Sequence, residues 1–248
     1  MGVSVVIPFM TDEKIERALV VVAHPDDVDF GAAGTIAGWT DEGIEVTYAL
    51  CTNGDAGGFD PTVAREDIAG IRQEEQRAAA KELGVSDVRF LDYPDGQLVP
   101  SWDLRRDLSR VIRQVRPQRI LMQSPEINWE RIAASHPDHR AAGEATLCAV
   151  YPDARNPFTH TTLLQDEQLE AWSVHDVWVM AAGTGANRWV DVTDTFDRKV
   201  AALRAHVSQT SHMDDLEGML RGWLSANAVA GGLGDDRLAE SFRVVSVP

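Results

Sequence analysis

The sequence has little cysteine, little positive charge and no long hydrophobic run. Only two of its 248 residues are cysteines, and both lie in apolar stretches, which argues against a disulfide-rich secreted fold and a sulfur-ligated metal. No apolar stretch approaches the ~18 residues of a transmembrane helix, and the amino-terminal region lacks the basic start of a signal peptide. We therefore expect a cytoplasmic protein that does not insert into membranes.

The charge balance is acidic. Lys and Arg number 23 against 39 Asp and Glu, so the formal net charge is −16. This excess argues against a protein whose main partner is nucleic acid or an anionic membrane surface. With 44% hydrophobic and 25% charged residues the composition is that of a globular protein, and we predict one domain over 1–248. The sequence leaves both a monomer and a homo-oligomer open.

Short β-rich runs alternate with helix-forming segments through the first half of the chain. The predicted strands are 18–23, 44–51, 87–92, 119–123, 176–182 and 189–192, and the clearest predicted helices are 64–83, 102–115, 194–206 and 212–224. This alternation is typical of βαβ units and predicts an α/β fold with a mostly parallel sheet. The region 150–175 is the least regular, and we interpret it as a lid or an insertion.

Two short segments rich in His and Asp follow predicted strands. The segment AHPDD, residues 23–27, comes directly after the first strand, and SHPDH, residues 135–139, follows the fourth strand and its loop. Because ligands bind beyond the carboxyl ends of strands in such sheets, we expect the two segments to converge there.

The residue types in these segments indicate a metal site. His24 and Asp27 are three positions apart and so lie on one side of a turn, and His139 supplies a third donor. Three protein ligands with an open fourth position are typical of catalytic zinc, although Fe²⁺ or another divalent metal also suits His and Asp. Asp26 is placed to accept a proton from water, and His136 to stabilise an oxyanion or protonate a leaving amine.

Other interpretations of the same segments stay open. Asp26 or Asp27 could simply cap a helix, and His-Pro is a common turn dipeptide. A dinucleotide-binding enzyme would carry a glycine-rich turn after the first strand, where this chain has DFGAAG. The neighbouring carboxylates would repel a pyrophosphate, which argues against that enzyme class.

The two segments resemble those of the LmbE-like, or PIG-L, de-N-acetylase family of zinc hydrolases. The matching stretches are AHPDDVDFGAAGT, SHPDHRAAGEA, TNGDAGG (52–58), RQEEQRAAAKELG (72–84), LDYPDGQL (91–98) and KVAALRAHVSQT (199–210). The resemblance implies a Rossmann-like sheet sandwiched by helices and hydrolysis of the acetamide of an N-acetylglucosaminyl-type or related small molecule. It also implies His24, Asp27 and His139 as zinc ligands, Asp26 as general base and His136 as a group that assists the tetrahedral intermediate. One departure is Val28, where many members have Glu.

Four further residues are candidates for substrate binding. The resemblance implies that Arg72 faces the cleft, although a solvated helix-face arginine paired with a glutamate explains it equally well. Asp95 in YPDG, and Asn53 and Asp55 in TNGD, could bind sugar hydroxyls or merely stabilise turns. A non-catalytic member that binds a metal or a sugar is the alternative function, and the presence of both Asp26 and His136 favours catalysis.

Overall fold

The computed structural model of the chain describes residues 14–60, 62–129, 131–180 and 185–247. The strands are β1 Arg17–Val22, β2 Glu45–Thr52, β3 Asp87–Tyr93, β4 Arg119–Gln123, β5 Asp176–Met180, β6 Arg188–Asp191 and β7 Ala239–Ser246. The helices are α1 Asp27–Asp41, α2 Arg65–Glu82, α3 Trp102–Val115, α4 Pro137–Cys148, α5 Thr161–Gln165, α6 Phe196–Ala205, α7 Val207–Thr210 and α8 Leu216–Ala230. Among the residues described, no helix is both long and apolar enough to cross a membrane.

The strands form one sheet of seven in the order β3-β2-β1-β4-β5-β7-β6. Strands β3, β2, β1, β4 and β5 pair in parallel, and β7 runs antiparallel to both of its neighbours. From β1 the chain proceeds outward through β2 and β3 and then returns to place β4 on the other side of β1. The strand order therefore reverses between β1 and β4, and such a reversal opens a crevice at the carboxyl ends of the two strands.

Side chains of β1 alternate between two hydrophobic layers. Val20 and Val22 pack with α1, α2 and α6 on one face, whereas Leu19 and Val21 pack with α3 and α4 on the other. All four side chains are fully or almost fully buried. A strand covered on both faces reads as a continuous apolar run, which explains why the sequence ALVVVA predicts it well.

A buried ion pair connects α1 to the carboxyl-terminal part of the sheet. Lys199 of α6 and Glu240 of β7 lie 2.8 Å apart, and both side chains are excluded from solvent. The Lys199 ammonium also donates to the carbonyl oxygens of Asp29 and Phe30, and Glu240 accepts the backbone N–H of Gly34. The pair therefore bonds to backbone groups that lie about one turn apart in α1. These hydrogen bonds join α1, α6 and β7 through one buried polar cluster.

The predicted α/β fold with a mostly parallel sheet is confirmed, with differences at its carboxyl-terminal end. The strand β7 was not expected from the sequence. The predicted strand 176–182 ends at Met180, and its last two residues lie outside the described part of the chain.

The region 150–175 packs along α3. The Arg113 guanidinium donates to the carbonyl oxygens of Ala154, Asn156 and Thr159, and Arg105 pairs with Asp153 at 2.8 Å. These contacts bind the segment to α3, one of the helices that cover the sheet. Its interpretation as a lid or an insertion stays a prediction.

Candidate metal centre and active site

The two His/Asp segments meet where the strand order reverses. AHPDD links β1 to α1, and SHPDH leads into the first turn of α4. The Gln123 side chain, at the end of β4, accepts the backbone N–H of Ala23 at 2.8 Å and fastens the two strand ends together. As a result, the rings of His24, His136 and His139 lie with centroids 5.0–5.2 Å apart.

Asp26 adopts a backbone conformation that few residues other than glycine adopt. Its φ of 84° is left-handed, which costs roughly 1–3 kcal/mol unless the surroundings hold it. Gln76 of α2 accepts the Asp26 N–H at 2.9 Å, and Arg72 donates to the Pro25 carbonyl at 2.6 Å and to Asp26 Oδ2 at 3.2 Å. The side chain of Asp26 makes no capping bond to α1. Its conformation therefore depends on α2.

Asp27 lies between two imidazoles. Its Oδ2 is 3.4 Å from His24 Nδ1 and accepts the His24 backbone N–H at 2.7 Å, and its Oδ1 is 3.0 Å from His139 Nε2. Ring nitrogens of His24, His136 and His139 all lie within 4.8 Å of one another. The site therefore brings together all the donors that the sequence predicts, and Asp27 is oriented by the histidines.

Two further carboxylates, those of Asp95 and Asp138, contact the other ring nitrogen of His24. His24 Nε2 is 3.0 Å from Asp95 Oδ1 and 3.3 Å from Asp138 Oδ2, so these three residues form another set of candidate ligands. The Asp138 carboxylate already accepts the backbone N–H groups of Gly96 and Leu98, at 2.7 and 3.2 Å. Carboxylates that hold the far nitrogen of a ligating histidine fix its ring orientation and leave the near nitrogen to the metal.

The electrostatics of this cluster favour a cation. Burial lowers the pKa of His24, but hydrogen bonds with Asp138, Asp27 and Asp95 raise it to about 12. Burial raises the pKa of Asp27, but His139 and His24 hold it well below its usual range. Several carboxylates that share one cleft repel each other unless positive charge lies between them, and a divalent metal would supply that charge.

Asp26 and His136 have different titration behaviour. Burial, together with the charge of Asp27, raises the pKa of Asp26 to about 7, and Arg72 limits the rise. Burial and the neighbouring charges of His24 and His139 lower the pKa of His136. His136 Nδ1 accepts the Asp138 N–H at 3.2 Å, so the neutral ring carries its proton on Nε2. The first group suits a base near neutral pH and the second a neutral hydrogen-bond donor.

Arg72 and Asp95, which we expect to bind substrate, contact the predicted base and metal residues. Arg72 lies inside α2, is 5% exposed and holds Asp26 as described. Asp95 is 7% exposed, and its second oxygen accepts the backbone N–H of Ala56 at 3.0 Å. A role in substrate binding stays a prediction for both residues, although these contacts indicate that they orient the site.

Asn53 and Asp55 lie in the loop after β2. The Asn53 amide donates to Asp92 at 2.8 Å and accepts from Gln73 at 2.7 Å. Asp55 pairs with Arg65 at 2.9 Å and accepts the Asp95 N–H at 3.2 Å. These contacts join the loop after β2 to α2, to the end of β3 and to the loop after β3. Substrate binding by Asn53 and Asp55 stays a prediction.

Sequence reasoning missed a buried polar chain behind Asp26. Gln76 donates to Asp29 Oδ2 at 2.8 Å, and His206 Nε2 lies 2.8 Å from the same oxygen. All three residues are fully excluded from solvent. The sequence signal is the unusual pair Val28-Asp29, since Val28 fills the core and Asp29 is a carboxylate on the buried side of α1.

A cavity of about 460 Å³ opens beside the predicted ligands. Its walls come from α1, the loop after β4, α4, β5, α8 and β7, and they include Asp27, Asn128, Arg131, His139, Trp223 and Asn227. This volume lies within the range of small-molecule sites. The cavity therefore gives a ligand direct access to Asp27 and His139.

Comparison with known proteins covers both segments. Residues 19–150 match the sequence profile of the family described as GlcNAc-PI de-N-acetylase (PIG-L). The diacetylchitobiose deacetylase of Thermococcus kodakarensis is 34% identical over 195 residues, which are 79% of this chain and 70% of that protein. A probable N-acetyl-α-D-glucosaminyl L-malate deacetylase 2 of Bacillus cereus is 35% identical over 204 residues, covering 79% of this chain and 85% of that protein.

A solved structure shows the same architecture. The N,N′-diacetylchitobiose deacetylase of Pyrococcus horikoshii, determined with an inhibitor, is 31% identical to this chain with a TM-score of 0.84. The match covers 94% of this chain and 84% of that one. The likeness therefore includes the sheet, both helical layers and the two His/Asp segments.

Proposed function

This chain belongs to the GlcNAc-PI de-N-acetylase (PIG-L) family, and on that premise we propose that it hydrolyses the acetamide of an N-acetylglucosaminyl-type small molecule. The products are acetate and a free amine. The observation that carries this proposal is the convergence of His24, Asp27 and His139 beside an open cavity. The relatives' names indicate N-acetylated amino sugars as the substrate class.

We propose His24, Asp27 and His139 as the ligands of a divalent metal, zinc or iron(II) among them. The donors fit because Asp27 faces His24 Nδ1 and His139 Nε2, while His24 Nε2 is anchored by Asp95 and Asp138. This donor set is that of catalytic zinc sites with one open position. When bound there, a divalent cation acidifies water and polarises an amide carbonyl.

In this proposal the chain's own residues move the protons. Asp26 accepts a proton from the attacking water, since its pKa near 7 leaves part of it ionised at neutral pH. His136 donates its Nε2 proton as a hydrogen bond to the oxygen that becomes negative in the tetrahedral intermediate. The C–N bond then breaks, and the amine leaves with a proton from Asp26 or His136.

Acetate release tests the proposal. We expect the purified chain to release acetate from at least one of N-acetylglucosamine, diacetylchitobiose and N-acetylglucosaminyl malate. Dialysis against a chelator should abolish the release, because the proposed reaction needs the bound metal. Added Zn²⁺ or Fe²⁺ should restore it, because the folded chain still holds the metal ligands together. Tight binding of these sugars with no acetate released at any metal concentration would instead support the non-catalytic binding protein.

A further inference from the structure

The cavity contains an arginine that the proposed reaction does not use. Arg131, in the loop after β4, lines the same cavity as Asp27 and His139. Its guanidinium lies over the indole of Trp223 in α8, with Cζ 4.5 Å from the ring centroid. Its backbone N–H donates to the Asn128 side chain at 3.0 Å. The Trp223 contact therefore places the guanidinium against α8 at the wall of the cavity.

The charge of Arg131 has no counterion in the described part of the chain. Within that part its guanidinium contacts the Trp223 ring, while its backbone bonds to Asn128 and Ala134. Two arginines of α2 are paired by contrast, Arg65 with Asp55 and Arg72 with Asp26. In a chain with a net charge of −16, an arginine at a cavity wall without a carboxylate partner indicates a place for an anionic ligand.

The stacking geometry also favours an anion over a neutral sugar. A guanidinium stacked on an indole keeps its planar N–H edge available, and that edge matches the two oxygens of a carboxylate. A neutral sugar ring binds by stacking on an aromatic face, and Arg131 already covers one face of Trp223.

We propose that Arg131 and Trp223 form a subsite for a carboxylate on the aglycone of the N-acetylated amino sugar. This inference rests on the proposed function, since it places the acetamide at the metal ligands and the aglycone at Arg131. Sequence identity does not tell which aglycone this chain accepts. A relative named for a disaccharide is 34% identical to this chain, and one named for a malate conjugate is 35% identical. The subsite makes this chain selective for anionic N-acetylglucosaminides.

Calorimetric titration with a matched pair of ligands tests the subsite. The probes are N-acetyl-α-D-glucosaminyl L-malate and its uncharged diamide, titrated into the metal-loaded Asp26→Ala variant so that neither is hydrolysed. We expect the malate conjugate to bind about tenfold to a hundredfold more tightly, the usual effect of hydrogen bonds to a charged group. Adding Arg131→Ala should remove the preference. Adding Arg204→Ala, a control on the exposed side of α6, should keep it.

Wild-type kinetics separate this inference from the proposed function. We expect a lower KM for the malate conjugate than for the diamide, and Arg131→Ala should remove this difference in KM. Equal binding of the two probes, binding of neither, or equal weakening of both by Arg131→Ala overturns the subsite. A binding preference that depends on Arg131 without any acetate release supports the subsite and overturns the proposed hydrolysis.

Discussion

At the residue scale, Asp26 is distinguished from the neighbouring carboxylates by what holds it. Asp27, Asp95 and Asp138 all contact His24, whereas Asp26 contacts Arg72 through one oxygen. Its backbone is left-handed, and its side chain makes no capping bond to the helix that it precedes. A carboxylate that binds no histidine and has a pKa near 7 is suited to accept a proton from water.

The first prediction concerns Asp26. Asp26→Asn should lower kcat for acetate release by about 10²-fold or more, because an amide cannot accept the proton of water. The bound metal should stay at the wild-type level, since Asp26 is not a proposed ligand. Elemental analysis and acetate assays measure both quantities, and the exposed Asp214→Asn is the control. Near-wild-type kcat in Asp26→Asn would contradict the assignment of the base.

Gln76 supports Asp26 from the interior of α2. Its amide bridges the Asp26 N–H and the Asp29 carboxylate, at 2.9 and 2.8 Å. Gln76→Leu should therefore leave the Asp26 N–H without its acceptor, at a cost of about 1–3 kcal/mol, and leave Asp29 with His206 as its partner. Gln76→Glu keeps the acceptor but places two carboxylates together. We expect urea unfolding to show a loss in both variants, and unchanged stability in Gln76→Leu would show that the bridge does not hold the turn.

At the element scale, α4 approaches β4 closely because of Gly143. A Cβ added at Gly143 would lie 2.5 Å from the Gln123 carbonyl oxygen and 2.9 Å from the Pro125 nitrogen, both backbone atoms. His139 lies one turn earlier in the same helix. Because backbone atoms cannot yield as a flexible side chain does, a larger residue at 143 must displace α4, and His139 with it.

Gly143→Ala should consequently weaken both the fold and the metal site. Overpacking of this kind costs typically about 1–3 kcal/mol of unfolding free energy, and the displaced helix should raise the dissociation constant for zinc. Gly222→Ala in α8 is the matched control, since a Cβ there meets open space and should leave stability equal or slightly higher. A fully stable Gly143→Ala variant with normal zinc affinity would contradict this role of the glycine.

The sequence predicts the elements of the first half well and those of the second half less well. A βαβ run is local, so the strand before each His/Asp segment and its carboxyl end can be read from apolar runs alone. The strand β7 pairs with β5 and β6, as in the pairs Asp176–Ser246 and Arg188–Phe242, and no local pattern specifies pairing between residues so far apart in the chain. Likewise, the contacts of Asp95 with His24 and of Gln76 with Asp26 join separate loops and helices, so residue type cannot reveal them.

At the scale of the whole molecule, the Lys199–Glu240 pair joins the carboxyl-terminal elements to the helix that starts at the metal site. The pair is fully buried and bonds to the backbone of α1 on both sides. Burying two charges contributes little net stability, but removing one partner leaves the other uncompensated. The pair therefore matters most when it is broken.

Lys199→Met should lower the free energy of unfolding by about 3–5 kcal/mol, because Glu240 stays buried without its cation. Arg204→Met on the same helix is the control, as its exposed pair with Glu217 contributes at most about 1 kcal/mol. Denaturant unfolding measures both variants. A loss in Lys199→Met no larger than in the control would mean that Glu240 finds another partner or a proton.

The metal content of the chain tests the central claim most directly. The protein should be purified without chelator, as wild type and as Asp27→Ala, and analysed for metals. The account predicts about one divalent cation per wild-type chain and its loss in Asp27→Ala, which keeps His24 and His139 but lacks the carboxylate between them. No metal in either protein, even after zinc addition, would contradict the proposed metal site and the hydrolysis that depends on it.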